Sequence, residues 1–178
     1  LPWLMERFLM LGGDFQEGFI SSLSDVEGEF VVNCTGLGAR ELCDDEEVVP
    51  VRGQIIYIEQ DPGFGRFDQR PENLIYTIPR RDVTVLGGTA QKGDWHGEVR
   101  ESDTQEILEK CSLLWPELDR SKIVGKAVGL RPSRNEVRLE ADRSYDRMVI
   151  HNYGHGGAGV TLSWGCADEV VALVSRLN

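Results

Sequence analysis

Residues 148–177 read MVIHNYGHGGAGVTLSWGCADEVVALVSRL and contain the three elements that decide the fold of this chain. Met148–Asn152 is a short apolar run that predicts a strand. Four glycines between positions 154 and 159 predict a tight turn. After the turn, apolar side chains recur at the period of one helix face, at Ala167, Val170, Val171, Val174 and Leu177. A strand that passes through a glycine turn into an amphipathic helix indicates a protein that mixes helices with a sheet.

The glycine turn satisfies the pattern G-x-G-x-x-G at Gly154, Gly156 and Gly159, which is typical of dinucleotide binding. Only 19 residues follow Gly159, too few for a complete nucleotide-binding unit with its second strand and acidic residue. Glycines still allow close approach of a ligand to the backbone, and the helix directs free N–H groups toward it. Two readings stay open at this point: a ligand cradle and a connection needed only for packing.

Other apolar runs and turn signals extend the fold toward the amino terminus. Strands are predicted at Phe30–Thr35, Gln54–Glu59, Leu74–Ile78, Val83–Leu86 and Ile123–Leu130. The turn Pro79–Asp82 makes the third and fourth of these a hairpin. A helix is predicted from Ser102 or Asp103 to about Trp115, because apolar side chains there share one face. The fold class is therefore mixed α/β (α+β).

The composition disfavours several classes of binding partner and metal site. A net charge of -11 disfavours nucleic acid and anionic membrane surfaces, since their phosphates would be repelled. No apolar run approaches the roughly 18 residues that span a bilayer. The four cysteines are far apart and lack metal-ligand spacing, so we expect reduced thiols and no zinc site. The first residue is Leu1 rather than Met, as in a fragment, a processed product or an incomplete sequence.

Four side chains are candidates for chemistry on pattern alone. Arg131 follows an apolar run and could hold a carboxylate through both of its nitrogens, or lie on the surface. Tyr76 lies within a strand, where a tyrosine is either a core or a catalytic residue. His151 and His155 flank the glycine turn, but no Ser or Asp partner for general-base chemistry is evident. The residues alone do not choose between these readings.

Several blocks together resemble the D-amino-acid oxidase and D-aspartate oxidase family. They are VVNCTG at 31–36, RGQ at 52–54, YTIP at 76–79, VLGGT at 85–89, QKGDW at 91–95, GLRP at 129–132, HNYGHGGAG at 151–159 and SWG at 163–165. They occur in the family's order and cover about residues 15 to 177.

The resemblance implies a two-domain flavoprotein in which the substrate domain interrupts a Rossmann-like FAD-binding domain. Residues 1–38 would be part of the FAD-binding domain, residues 39–136 a portion of the substrate-binding domain, and residues 137–178 the return to the FAD-binding domain. The family's amino-terminal dinucleotide-binding βαβ unit has no counterpart here. A missing amino-terminal segment of the same protein is therefore an expected partner, and a homodimer is left open.

The same resemblance assigns roles to residues. Arg131 would pair with the α-carboxylate of the substrate, the Tyr76 hydroxyl would assist it, and the Gly157 carbonyl would receive the amine. Contacts to FAD would come from Phe19, Thr35, His151, Gly156, Gly157, Ala158, Gly159, Val160 and Thr161. No residue is assigned as a catalytic acid or base, and none as a metal ligand.

The implied activity is oxidation of D-amino acids by hydride transfer to flavin, with a 2-oxo acid, ammonia and hydrogen peroxide as products and oxygen as acceptor. Two alternatives stay open: a glycine- or sarcosine-type amine oxidase, and an inactive fragment that serves only packing or association. Ala90 stands where D-aspartate-selective members have arginine, so Arg66 or Arg70 would have to bind an acidic side chain. We expect an intracellular protein, cytoplasmic or peroxisomal, although Asn178 follows the address-like Ser175–Leu177.

Overall fold

A computed structural model describes residues 1–68 and 74–177 of the chain, which build one eight-stranded sheet with a helix packed on it. The strands are β1 (Phe30–Asn33), β2 (Val49–Ile58), β3 (Arg66–Asp68), β4 (Ile75–Pro79), β5 (Thr84–Gly87), β6 (Gln91–Lys92), β7 (Ile123–Asp142) and β8 (Met148–His155). The helices are α1 (Pro2–Met10), α2 (Ala39–Leu42), α3 (Glu101–Leu114) and α4 (Gly159–Leu177). Short 3₁₀ turns lie at Leu23–Asp25, Gly36–Gly38, Arg120–Lys122 and Gly156–Ala158.

The sheet runs in the order β1-β8-β7-β2-β5-β4-β3, and β6 pairs with the edge of β2. Only β1 and β8 are parallel; the other described pairs are antiparallel. The mixed fold class and the β4–β5 hairpin are thereby confirmed. The strand predicted at Ile123–Leu130 is longer than expected and continues to Asp142. The predicted boundary between residues 136 and 137 consequently falls inside β7.

Helix α3 covers one face of the sheet and forms the main core. It begins at Glu101, close to the predicted start at Ser102 or Asp103. Alternate residues of a strand face opposite sides of a sheet, and Ile56 of β2 and Leu86 of β5 share the α3 side. The cluster consists of Ile56, Ile58, Leu86, Ile107, Leu108, Cys111 and Trp115. Val51 and Gly53 of β2 point to the opposite face of the sheet.

A buried arginine, Arg52, connects β2 with helix α3 and the loop before it. Arg52 of β2 is fully buried and forms an ion pair with Asp103 in the first turn of α3. Its guanidinium also donates to the Gln91 side chain of β6 and to the carbonyl oxygens of His96 and Glu98. A buried ion pair is favourable only when such extra hydrogen bonds complete its geometry. Arg52 therefore fixes α3 and the loop before it against β2.

The parallel pair β1–β8 carries a smaller polar network. His151 of β8 lies opposite Asn33 of β1, whose amide is 3.2 Å from the imidazole Nδ1. The Nε2 atom is 3.3 Å from a carboxylate oxygen of Asp142. Hydrogen bonds from Ser144 and the contact with His151 lower the pKa of Asp142 to about 2. Burial lowers the pKa of His151, so this imidazole is held neutral between its partners.

Two helices leave apolar surface uncovered. Helix α1, which the pattern of the sequence did not predict, has no buried residue, and Trp3 is 66% exposed. Ala167, Val170, Val171 and Val174 of the predicted stripe lie within α4, but Val171 is 63% exposed. The segment Gly156–Arg176, with mean hydropathy 1.2, is long and apolar enough to cross a membrane, which corrects the expectation that no segment is. This is weak support for a membrane span, since core helices of soluble proteins pass the same test.

The Arg52 network generates a stability prediction. Arg52→Met leaves the buried carboxylate of Asp103 without its cation, and we expect a loss of about 3–5 kcal/mol in the free energy of unfolding. Lys126→Met is the matched control, because Lys126 pairs with an exposed Glu101 and should cost less than about 1 kcal/mol. Urea denaturation followed by circular dichroism measures both. A loss below about 1 kcal/mol for Arg52→Met would contradict the role given to this pair.

Candidate active site

The guanidinium of Arg131 lies on the sheet face opposite α3, with the edge that carries Nη1 and Nη2 turned toward Gly53. Arg131 pairs with Val51 in the β2–β7 ladder, so both side chains are on the same side as Gly53. A Cβ atom built on Gly53 would be 2.2–2.5 Å from both terminal nitrogens and Cζ of Arg131. The Nη1 atom donates to the carbonyl oxygens of Val51 and Thr89, at 3.4 and 3.3 Å. The cation is therefore held by backbone carbonyls and a glycine surface.

No carboxylate compensates this charge within residues 1–68 and 74–177, where none lies within 4.0 Å of the Arg131 guanidinium. The chain nevertheless carries a net charge of -11. Arginines near acidic residues elsewhere in the fold, such as Arg52 and Arg138, form ion pairs. A half-buried, uncompensated guanidinium on an open face is a site for a small anion, and a carboxylate matches its two-nitrogen geometry.

Tyr76 lies beside this cation. It pairs with Gly87 in the β4–β5 hairpin, and a Cβ atom on Gly87 would be 2.2 Å from Cζ of the Tyr76 ring. The ring therefore rests on a second glycine of the same face. Burial raises the pKa of Tyr76 above its ordinary value, while the charge of Arg131 and a hydrogen bond with it act in the opposite direction. The phenol is neutral at physiological pH and can donate a hydrogen bond next to the guanidinium.

The glycine turn between β8 and α4 completes the site. A Cβ atom on Gly157 would be 3.3 Å from Cδ of Arg131, so the turn and the arginine side chain touch. Gly156 has a φ of +56°, a conformation that favours glycine. Residues 157–161 are exposed, and they lead into the 19-residue helix α4. The structure thus brings Tyr76, Arg131 and Gly157 to one place on the sheet.

Residues 156–161 suit the flavin role that the resemblance assigns to them. A Cβ atom added to Gly156 would lie 3.7 Å from the Ser133 side chain, and one added to Gly159 would lie 3.7 Å from the His155 side chain. Both are ordinary contacts, so side chains of the protein border one side of the turn. The Ala158, Val160 and Thr161 side chains are exposed, and the free N–H groups at the start of α4 favour a group with partial negative charge. This open, glycine-built edge can accept a flat anionic ring.

The two residues predicted to contact the nucleotide part of FAD, Thr35 and Phe19, lie in the amino-terminal part of the chain. Thr35 follows β1, and its hydroxyl donates to the Asn33 side chain at 2.7 Å. The next residue, Gly36, approaches Pro132, the neighbour of Arg131. Phe19 is 94% exposed in a loop that borders a groove of about 690 Å³. Both contacts with the cofactor stay predictions.

The assignment of His151 to FAD stays a prediction, and the structure limits it to the backbone. The side chain is fully buried between β1 and β7, with Asn33 and Asp142 at its two ring nitrogens. The imidazole presents no atom to a ligand and instead joins the strands. The other candidate, His155, lies 3.4 Å from the thiol of Cys166, within the turn.

Arg66 also departs from expectation. Its register partner Thr77 is buried with the α3 face, and its guanidinium lies 4.3 Å from the Phe64 ring centroid and 5.9 Å from that of Trp115. Arg66 is therefore on the face of the sheet opposite Tyr76. Arg70 lies outside the described residues. Neither position supplies a described cation that would bind an acidic substrate side chain beside Arg131.

Sequence patterns missed the two glycines on which Arg131 and Tyr76 rest. Gly53 and Gly87 lie in strands, where glycine has no turn to form, and only their place inside the RGQ and VLGGT blocks marked them. A glycine within a strand signals close approach of another group, and that signal was available.

The family assignment follows from comparison with known proteins. The model of the family described as FAD dependent oxidoreductase matches residues 1–173. The chain belongs to this family. D-amino-acid oxidase of Streptomyces coelicolor is 43% identical over 98% of the chain and 56% of its own length. Human D-aspartate oxidase is 40% identical over 99% of the chain and 53% of its own length.

The chain thus spans about half the length of the curated relatives it matches. Among solved structures, glycine oxidase from Bacillus cereus superposes with a TM-score of 0.72 at 21% identity, over 83% of this chain and 43% of that one. At this identity the similarity shows a shared fold. The family is FAD-dependent.

The contact between Tyr76 and Arg131 is testable by titration. Because the guanidinium lowers the pKa of the phenol, Arg131→Met should raise the Tyr76 pKa further above 10, and tyrosinate should form at higher pH. The absorbance of tyrosinate, taken as the difference between each protein and its Tyr76→Phe variant, measures this. An unchanged or lower titration midpoint in Arg131→Met would contradict the geometry.

Proposed function

We propose that the protein carrying this chain oxidises D-amino acids with FAD to 2-oxo acids and ammonia, with oxygen reduced to hydrogen peroxide. One observation carries the proposal: the uncompensated Arg131 guanidinium lies beside a neutral Tyr76 phenol and the exposed Gly157 turn. This set matches the groups of an amino acid, which offers a carboxylate to a cation and an ammonium or amine to a carbonyl oxygen. The names of the relatives, D-amino-acid oxidase and D-aspartate oxidase, support the choice of substrate.

The residues of this chain bind and orient the amino-acid substrate. Arg131 binds the α-carboxylate through its fork of N–H donors, and Tyr76 adds a hydrogen bond from its neutral hydroxyl. The Gly157 carbonyl receives the substrate amine, which fixes the α-carbon between two anchors. When bound at residues 156–161, FAD supplies the hydride acceptor and passes electrons to oxygen. Because the α-hydrogen of the neutral amine form leaves as hydride, no base is needed at the α-carbon, and orientation is the main contribution of the chain.

Neutral side chains are the favoured substrate class. Ala90 is exposed and uncharged, and Arg66 lies on the opposite face of the sheet, stacked on Phe64. Neither residue 90 nor Arg66 therefore offers a cation to a second carboxylate beside Arg131. We propose that D-alanine is used better than D-aspartate.

The substrate proposal is tested with a peroxide assay on the natural full-length protein. D-alanine, D-aspartate, glycine and sarcosine should be offered in parallel, with D-alanine giving the highest kcat/KM. Arg131→Met should lower kcat/KM for D-alanine by at least 100-fold, since a buried charge-assisted hydrogen bond is lost. Arg134→Met, which removes an arginine paired with Asp45 instead, is the control for loss of positive charge. Activity on glycine and sarcosine alone would establish the amine-oxidase alternative.

We also propose that the site is completed by a segment of the same protein that occupies the rest of the family's length. Support comes from the uncovered apolar faces of α1 and α4, where Trp3 and Trp164 are 66% and 68% exposed. Val32 on the free side of β1 is likewise exposed. Exposed apolar area of this kind marks an interaction surface. Much of a flavin nucleotide would bind to that segment.

This second proposal predicts a difference in flavin retention. The chain on its own should lose its yellow colour on dialysis, whereas the full-length protein should keep it, because the isolated chain offers FAD only one edge of its site. Flavin absorbance after dialysis measures the result. Retention of stoichiometric FAD by the isolated chain would overturn the need for the segment, and peroxide formation by the isolated chain would do so as well.

A further inference from the structure

We infer that Gly53 is a positioning residue: the missing side chain sets the height of the Arg131 guanidinium above the sheet, and with it the place where a carboxylate binds. The inference rests on the proposed function for the identity of the ligand, but its geometry is independent of that function. It concerns a residue that contacts neither substrate nor flavin in the roles proposed above.

The distances describe the approach of one guanidinium edge to Gly53. A Cβ atom on Gly53 would lie 2.2 Å from Nη1, 2.3 Å from Nη2 and 2.5 Å from Cζ of Arg131. Because the central Cζ is the farthest of the three atoms, the edge that carries Nη1 and Nη2, and not the flat face, is turned toward the glycine. The edge formed by Nε and Nη2 is left for a ligand. A carboxylate must approach along that edge, beside Tyr76 and the turn at Gly157.

A methyl group at position 53 would force the Arg131 guanidinium away from the sheet. Real Cβ atoms essentially never approach within 3.0 Å of such atoms, so Nη1 must move by at least 3.0 minus 2.2, or 0.8 Å. The two hydrogen bonds of Nη1, to Val51 at 3.4 Å and to Thr89 at 3.3 Å, are already long. An outward shift of this size breaks them. The arginine would then lose its close contact with Gly53 and its hydrogen bonds to the backbone.

The fold itself should accept the change. The atoms that collide are the far end of a flexible side chain, which can rotate away without moving the strand. Replacing glycine by alanine in an extended strand also reduces the entropy of the unfolded chain, which stabilises the folded state. Gly53→Ala is therefore expected to separate stability from ligand binding. Misplacement of a binding group by about 1 Å can cost on the order of 100-fold in rate.

Gly125 provides a matched control. It lies in β7 opposite Tyr57 of β2, within the same strand pair and on the same sheet face as Gly53. A Cβ atom there would meet only Cδ2 of Tyr57, at 3.4 Å, which is an ordinary contact. Gly125→Ala thus makes the same chemical change in the same ladder without touching Arg131.

The experiment compares wild type, Gly53→Ala and Gly125→Ala in the full-length protein. Binding of propionate, a carboxylate that cannot be oxidised as an amino acid, is measured by calorimetry, and melting temperature by circular dichroism. Gly53→Ala should bind propionate at least tenfold more weakly than wild type with an unchanged or higher melting temperature, and Gly125→Ala should match wild type in both. Equal propionate affinity in wild type and Gly53→Ala would overturn the inference, as would failure of the wild type to bind propionate.

A double variant shows whether Gly53 acts through Arg131. In an Arg131→Met background, adding Gly53→Ala should change kcat/KM for D-alanine by less than twofold, whereas in wild type it should lower it at least tenfold. A similar loss in both backgrounds would refute positioning through Arg131. If wild type binds propionate but forms no peroxide with any D-amino acid, the proposed function fails while the propionate comparison still decides the role of Gly53.

Discussion

The antiparallel pairing of β2 with β7 is the constraint on which the rest of the structure depends. Ten residues of β2 pair with β7, and the side-chain alternation of a strand divides them between two faces. Arg52, Gln54 and Ile56 face helix α3 and build the core. Val51 and Gly53 face the other way and support Arg131. A register shift of one residue would exchange these faces and place the buried ion pair in the site.

The two arginines of this ladder show how surroundings decide the use of the same side chain. Arg52 is fully buried, and a carboxylate, a side-chain amide and two carbonyl groups satisfy its donors. Arg131 has carbonyl acceptors for one nitrogen and no carboxylate in the described part of the chain. The first arrangement is complete in itself and serves stability. The second retains binding capacity for an anion from outside, at the cost of leaving a cation unpaired in the free protein.

The distribution of apolar surface agrees with a chain that is about half as long as its relatives. The core beneath α3 is closed, with Ile107 and Trp115 almost inaccessible. Helices α1 and α4 carry exposed apolar side chains instead. The exposed apolar faces of α1 and α4 are the surfaces that the further segment proposed above would cover, whereas Arg131 lies on the sheet face opposite α3.

The sequence by itself determined the elements and the identity of the groups that meet. Period and turn signals predicted the β4–β5 hairpin, helix α3 and the strand, turn and helix at 148–177, because these depend on neighbours within a few residues. The family blocks named Tyr76, Arg131 and Gly157. Only the tertiary structure decided that His151 is buried, that Arg66 lies on the far face, and that Gly53 seats the guanidinium. Each of these depends on which strand lies beside which, and contacts between residues some 80 positions apart, such as Val51 with Arg131, leave no local pattern in a sequence.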